Sequence, residues 1–572
     1  MKTGFWFRAV VAAGVLTLAG CAPTTKTAPA KAAKGTAHAK SKDAAPNSDE
    51  LTEARIEALT RFASGVSLDQ RGKPREAIEE FRKAALADPG NEPLVTEIAR
   101  RLLRARQTDK AVEVLEAATK QSKPAPSIFV LLGVAYGQLG KTDLAVATIR
   151  KALTRDPKNF LAYQNLFSVY LQAAKFKEAR GVIAEAEKNG DSDADYLLDL
   201  TSLYARYVQL RPKELDELKP RVLALLERAQ KLVDKADTTQ LLRVADGFRA
   251  FGDLKRGTAI YTQLLKAAPD LPGLREKLVE TYLRSDEPEK AKEQLTAILR
   301  DNPTNPQLYY LLGTIAAEAK DGDKRDEKLE EAAGHFEKVL LLNPKFEPAY
   351  FDLVQVRLRL KQVEAALKVL DRARGLFGST YLVEFFTGMA HNEAKDYPAA
   401  LKALTSAELL AKTSETNRLT AGFYFQLGAV NERLKDFPMA EKHFRKAIEL
   451  QADFAEALNY LGYMWAERGT NLQEAFTMID KAVKLEPENG AYLDSMAWVL
   501  FQQGKAKEAV PWIEKALKFT KEPDPTLQDH LGDIYLKAGK RDRARDAWKK
   551  SLELEKSPAV QKKLDAIERR GS

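Results

Sequence analysis

The sequence contains one cysteine, Cys21, in 572 residues, so no disulfide can form within the chain. Histidine is nearly as scarce: His38, His335, His391, His443 and His530 are far apart. Neither His-Glu-x-x-His, Cys-x-x-Cys nor calcium-loop spacing occurs, which removes the common metal sites. Gly-x-Ser-x-Gly elbows and glycine-rich phosphate loops are missing too, and no set of catalytic residues or bound cofactor is expected. Asp323, beside Gly322 in a polar stretch, reads as a solvated loop residue. After the N-terminus no apolar run reaches the roughly 18 residues that a membrane-spanning helix needs. β-branched runs are rare, and no block of five like charges appears. The formal charge of +9 is a small excess in a chain that is 30% charged with both signs interleaved. With no basic stripe among aromatics, nucleic acid is not an expected partner.

What the chain has in quantity is Ala, Leu, Lys, Glu and Arg, a helix-forming composition. Its length exceeds what a single core can use, so a repeat array or several domains are expected. The first residues form a different pattern. Lys2 and Arg8 precede an apolar stretch, Ala9 to Ala19, and the chain then reads Leu18-Ala19-Gly20-Cys21. This has the shape of a secretory signal. Small residues ending on a cysteine resemble the bacterial lipobox, which implies a signal peptide over 1–20 and lipidation of Cys21. Ala22, rather than Asp, follows the cysteine; by the sorting rule of that family, this favours the outer membrane, facing the periplasm, over the inner one if the cell is Gram-negative. Residues 21–50 are rich in Ala, Lys, Thr and Pro with little apolar bulk, and read as a tether with a reach of about 30 Å.

The rest is periodic. With a small residue at position 8, a bulky one at 11 and 24, small ones at 20 and 27 and Pro at 32, the chain repeats every 34 residues or so. One unit carries Gly65, Ala77, Phe81, Ala84 and Pro89; another Gly133, Tyr136, Ala145, Ile149, Ala152 and Pro157; later ones Gly428, Ala440, Phe444 and Ala447, then Gly532, Tyr535, Ala544 and Trp548. Small residues at 8 and 20 let two helices approach closely, bulky ones fill the space between them, and Pro stops the second helix. The period and its positions resemble the tetratricopeptide (TPR) repeat. The expected fold is all-α: a right-handed superhelical TPR solenoid of about 14 helix-turn-helix units with a C-terminal capping helix near Pro558–Arg569. Insertions around Arg211–Lys219, Lys320–Asp326 and Thr413–Leu419 divide it into N-terminal units (51–237), middle units (238–420) and C-terminal units with the cap (421–572). The inserted units near Arg211 and Lys320 are expected to fray.

In such an array, positions 5, 9 and 12 of each first helix point into the concave groove. Position 5 carries Tyr310, Phe351, Phe385 and Phe425, and position 9 carries Tyr463 and Trp498. Acidic residues occupy the same positions elsewhere: Glu276, Glu280, Asp494, Asp529 and Asp533. An aromatic ladder with acidic neighbours is the expected partner-binding site, suited to a basic or amide-rich segment; packing of the same rings into the core is the alternative.

Asn459-Tyr460-Leu461-Gly462-Tyr463, Asp494-Ser495-Met496-Ala497-Trp498 and Asp529-His530-Leu531-Gly532-Asp533 resemble the last units of large outer-membrane TPR lipoproteins. Some of these are adaptors that bind periplasmic carboxy-terminal processing proteases and deliver cell-wall hydrolases to them. The resemblance implies a non-enzymatic cell-envelope scaffold whose partners are proteins or peptides. The alternative is a structural lipoprotein of an envelope assembly, pilus, secretion or polysaccharide-export machine.

Overall fold

The computed structural model describes residues 48–190, 193–234, 236–318 and 324–569. The signal peptide, Cys21 and the tether up to residue 47 lie outside the described residues. Among the described residues there are 29 α-helices, which make fourteen pairs and one last helix, Pro558–Arg569. The first pair is Ser48–Gln70 with Pro74–Ala87, and the fourteenth is Pro525–Lys537 with Arg541–Leu554. Helix A below denotes the first of each pair and helix B the second. The opening A helix starts about ten residues before the unit boundary read at Ala58. Ala58 is buried, whereas Glu53 to Glu57 before it are half-buried or exposed.

Local chemistry explains the helix ends. Many A helices begin at a side-chain cap: Asn159 accepts from Ala162 N–H, Thr420 from Phe423 N–H, and Asp524 from Thr526 and Leu527 N–H. Pro126, Pro306 and Pro525 stand in the first turn, where no backbone donor is needed. The A-to-B turn needs one residue in the left-handed region. Gly504 supplies it at φ 80°, with its N–H bonded to Phe501 O and the Lys505 N–H bonded to Leu500 O, each at 2.9 Å.

Packing follows from the small residues of the repeat. A Cβ on Gly428 would lie 2.6 Å from the Phe444 ring, so only glycine lets helix Ala421–Arg433 sit this close to helix Phe437–Leu450. Ala440 and Ala447 complete that seam with no exposed surface. One buried cluster runs from Tyr381 to Ile567, fed by every pair on the way. Ion pairs one period apart, Arg82–Glu113 at 2.7 Å, Arg221–Glu187 at 2.8 Å and Arg445–Glu474 at 2.9 Å, link neighbouring B-helix surfaces. At such exposed sites each contributes about 0.2–1 kcal/mol, so apolar stacking dominates.

The described residues divide into two compact units, one up to Asp301 and one from Asn302. The boundaries read from the insertions, at 237 and 420, fall inside these units. Two of the insertions are absorbed locally: Pro212–Glu214 forms a short 3₁₀ turn before the long B helix Leu215–Leu232, and Thr416–Arg418 forms another after Tyr397–Ser414. Residues 319–323, with Asp323 and most of the insertion expected to fray near Lys320, lie outside the described residues. In the first insertion three side chains converge on one carboxylate. Glu214 accepts from Tyr207 Oη at 2.9 Å, and from Arg211 and Arg180 at 3.1 Å each.

Candidate functional site

The unit from Asn302 carries the residues of interest on its A helices: Pro306–Ala317, Glu347–Arg359, Tyr381–Glu393, Ala421–Arg433, Ala455–Glu467, Gly490–Gln502 and Pro525–Lys537. The fifth residue of each helix is, in order, Tyr310, Phe351, Phe385, Phe425, Asn459, Asp494 and Asp529. The last four A helices each touch the next, so their equivalent positions form a continuous row.

The aromatic half of this row is packed, not open. Tyr310, Phe351, Phe425 and Trp498 are all buried, while Phe385 and Tyr463 are half-buried. Phe425 meets Phe444 of its own B helix at 5.7 Å, Phe454 at 5.5 Å and Tyr460 of the next A helix at 5.0 Å. Phe351 stacks on Phe386 at 5.6 Å, and Tyr310 meets Phe346 at 5.0 Å. Each ring fills the space between its pair and the next, so the expected open ladder of six rings reduces to the partial surfaces of Phe385 and Tyr463. Tyr310 has a polar task as well, donating its hydroxyl to Asp352 at 2.6 Å. Burial raises the Asp352 carboxyl to about 6, with the Tyr310 hydrogen bond pulling it part of the way back.

The acidic half is a network. The His530 Nδ1 lies 2.9 and 3.0 Å from the two oxygens of Asp494. The Trp498 indole stacks on the imidazole with centroids 4.0 Å apart, and the Tyr463 ring lies 6.3 Å away. The Tyr463 hydroxyl donates to Glu467 at 3.1 Å. From the last helix, Lys563 donates to both Asp529 oxygens at 2.8 and 3.0 Å and to Asp533 at 2.6 Å. Burial pushes the Asp533 carboxyl up, and Lys563 pulls it back. Burial lowers Lys563, but its two aspartates more than offset this and hold it above the usual lysine range. Glu276 and Glu280 belong to the other unit, on helix Leu274–Arg284; both are half-buried, and Glu280 is paired with Arg249. They are not part of this network.

Residues 96–160 and 351–415, 248–315 and 325–376, and 421–454 match tetratricopeptide repeat families, and 474–569 matches a tetratricopeptide repeat-like domain. The chain belongs to the TPR repeat family. A TPR repeat-containing protein of Pseudomonas aeruginosa is 30% identical over 39% of this chain and 36% of its own length. Cellulose synthase operon protein C of Pseudomonas fluorescens is 22% identical over 79% of this chain and 33% of its own. The chain thus spans about a third of the length of either relative. Among solved structures, the APC/C hetero-tetramer Cut9–Hcn1 aligns over 82% of this chain and 95% of that one, at 13% identity and a TM-score of 0.39.

Among the described residues no set of three His, Cys, Asp or Glu side chains could hold a metal ion. Two members of the network escape a reading by position alone. His530 stands at position 6, one residue beyond the row, and Lys563 comes from the capping helix. The 34-residue step from Asp529 to Lys563 was the available signal for the second.

Proposed function

We propose that this TPR protein is a non-enzymatic scaffold of the cell envelope, lipid-anchored at Cys21 in the outer membrane. Its C-terminal A-helix row docks a partner segment carrying basic or amide groups. The observation that carries this is the continuous succession Asn459, Asp494 and Asp529 on touching A helices, with Tyr463 and Asp533 one turn further on. Glu467, Asp494, Asp529 and Asp533 outnumber the Lys563 ammonium and the His530 imidazole that meet them, so the row keeps a negative balance that favours basic segments and selects against acidic ones. The partners proposed are a periplasmic protease and the cell-wall hydrolases it processes. A scaffold holding both raises their effective concentration without any chemistry of its own. A second reading is a structural lipoprotein of a secretion, pilus or polysaccharide-export assembly. The extended match to cellulose synthase operon protein C, over 79% of this chain, favours it.

The test is capture from detergent-solubilised envelopes with the mature chain, comparing wild type with Tyr463→Ser/Asp529→Asn. A protease or hydrolase captured by wild type and lost by the folded variant supports the adaptor. Export components captured instead support the second reading. An unchanged set of captured proteins removes the row as the docking face.

A further inference from the structure

Two buried histidines in the C-terminal unit have opposite surroundings. His443 on the B helix Phe437–Leu450 is 8% exposed, and its Nδ1 accepts from the Asn431 side-chain amide at 3.2 Å. Burial pushes its proton affinity down, and no carboxylate is bonded to it in return. His530 is 5% exposed but meets both oxygens of Asp494 and lies flat against Trp498. The Trp498 Nε1 is buried and makes no hydrogen bond among the described residues, so stacking on His530 and on Phe501, at 5.0 Å, holds that indole.

We propose that His530 is a proton-operated clasp. Charged, it fastens helix Pro525–Lys537 to helix Gly490–Gln502 through Asp494 and Trp498; neutral, it lets the two A helices part more readily. The imidazolium makes a charge-assisted bond to the carboxylate and a cation–π contact with the indole. Loss of the proton removes both and leaves Asp494, whose side chain is only 16% exposed, beside a weaker partner.

The groups facing His530 come from several elements. Helix Ala455–Glu467 brings Tyr463 and Glu467, helix Gly490–Gln502 brings Asp494, its own helix brings Asp529 and Asp533, and the last helix brings Lys563. The B helices Ala506–Phe519 and Arg541–Leu554 contribute Glu514 and Arg543, which instead meet Tyr535, at 2.8 Å to its hydroxyl and 5.9 Å to its ring. Four carboxylates against one ammonium favour the charged imidazole. Burial lowers the proton affinity of His530, but Asp494 more than offsets it, so the net displacement is upward. A histidine raised in the folded state contributes stability that is complete below the unfolded value of about 6.5. That stability is lost as pH rises through the folded value. His443 has the opposite sign: its contribution is present above about pH 6.5 and lost as pH falls.

The clasp can be measured without a partner; only its consequence for docking rests on the function proposed above. Histidine Cε1 resonances of the full chain, assigned by their loss in His530→Gln and His443→Gln, are followed from about pH 5 to about pH 9. The expected result is a His530 midpoint above about 6.5 and a His443 midpoint below it. Asp494→Asn should bring His530 down by about one unit or more. Amide protection in 490–502 and 525–537, corrected for intrinsic exchange, should fall about tenfold between about pH 6 and about pH 9 in wild type and stay level in Asp494→Asn. A His530 midpoint at or below about 6.5, or equal pH dependence of protection in the two proteins, overturns the clasp. Should Asp494→Asn fail to fold, the wild-type midpoint alone decides. A lysine-rich peptide that binds no better at high than at low pH, with the titration as expected, counts against the docking row and leaves the clasp standing.

Discussion

Gly428 and Asp352 mark the two extremes of what a single residue discloses. Gly428 is legible from the period: position 8 must be small because helix B passes within contact distance, and the Phe444 ring is found there. Gly428→Val should therefore destabilise the C-terminal unit by about 1–3 kcal/mol in urea unfolding. Asp352 could not be read, because the hydroxyl it accepts belongs to Tyr310, 42 residues away, a separation stretched beyond one period by the insertion between the two helices of Tyr310's pair. Its carboxyl, raised from 3.8 to about 6 chiefly by burial, makes the folded form bind a proton more tightly than the unfolded one. Stability contributed by that proton is complete below about pH 4 and is lost as pH rises through about 6. Asp352→Asn keeps an acceptor for Tyr310 and removes the ionisation. It should be more stable than wild type at neutral pH by about 1–3 kcal/mol, with the two converging below about pH 4. A variant less stable than wild type at neutral pH would mean that Asp352 is not strained by burial.

At the scale of elements, helix existence was legible because small residues, bulky residues and turn glycines recur together. The fates of the insertions were not. Arg211–Lys219 reads as an insertion expected to fray; in the structure Tyr207, Arg211 and Arg180 converge on its Glu214. Glu214 is three residues from one partner and 34 from another, so only the stacked structure unites them. Glu214→Ala should cost about 1 kcal/mol and raise amide exchange between about residues 205 and 220, with little change elsewhere. The fate of the aromatic row has a similar cause. Periodicity states which positions share a helix face, but whether the next pair covers a ring depends on how closely the pairs stack. Phe425 lies under Phe454 and Tyr460 of the following pair, whereas Tyr463 keeps part of its surface.

Within each of the two units, contacts among the described residues are almost entirely between helices of the same or adjacent pairs. Stability is then roughly a sum of pair and interface terms. A lesion in one unit should therefore be felt locally. In Gly428→Val, hydrogen exchange should rise between about residues 381 and 485 and remain at wild-type levels over 96–160; a uniform loss of protection would contradict a nearest-neighbour solenoid. The acidic end of the row was visible in the sequence as Asp494, Asp529 and Asp533, but the partners that meet them, His530 and Lys563, were not. His530 lies against Asp494 and Lys563 pairs with Asp529 and Asp533, so those carboxylates form a bonded network that still carries more acidic than basic groups. The central claim is that this row is where partners dock, and site-specific photo-crosslinking in intact cells tests it most directly. A crosslinking residue placed at Tyr463 should yield discrete protein adducts, while one at Leu485, 43% exposed at the end of a B helix, should yield few. Adducts from Leu485 with none from Tyr463 would contradict the account.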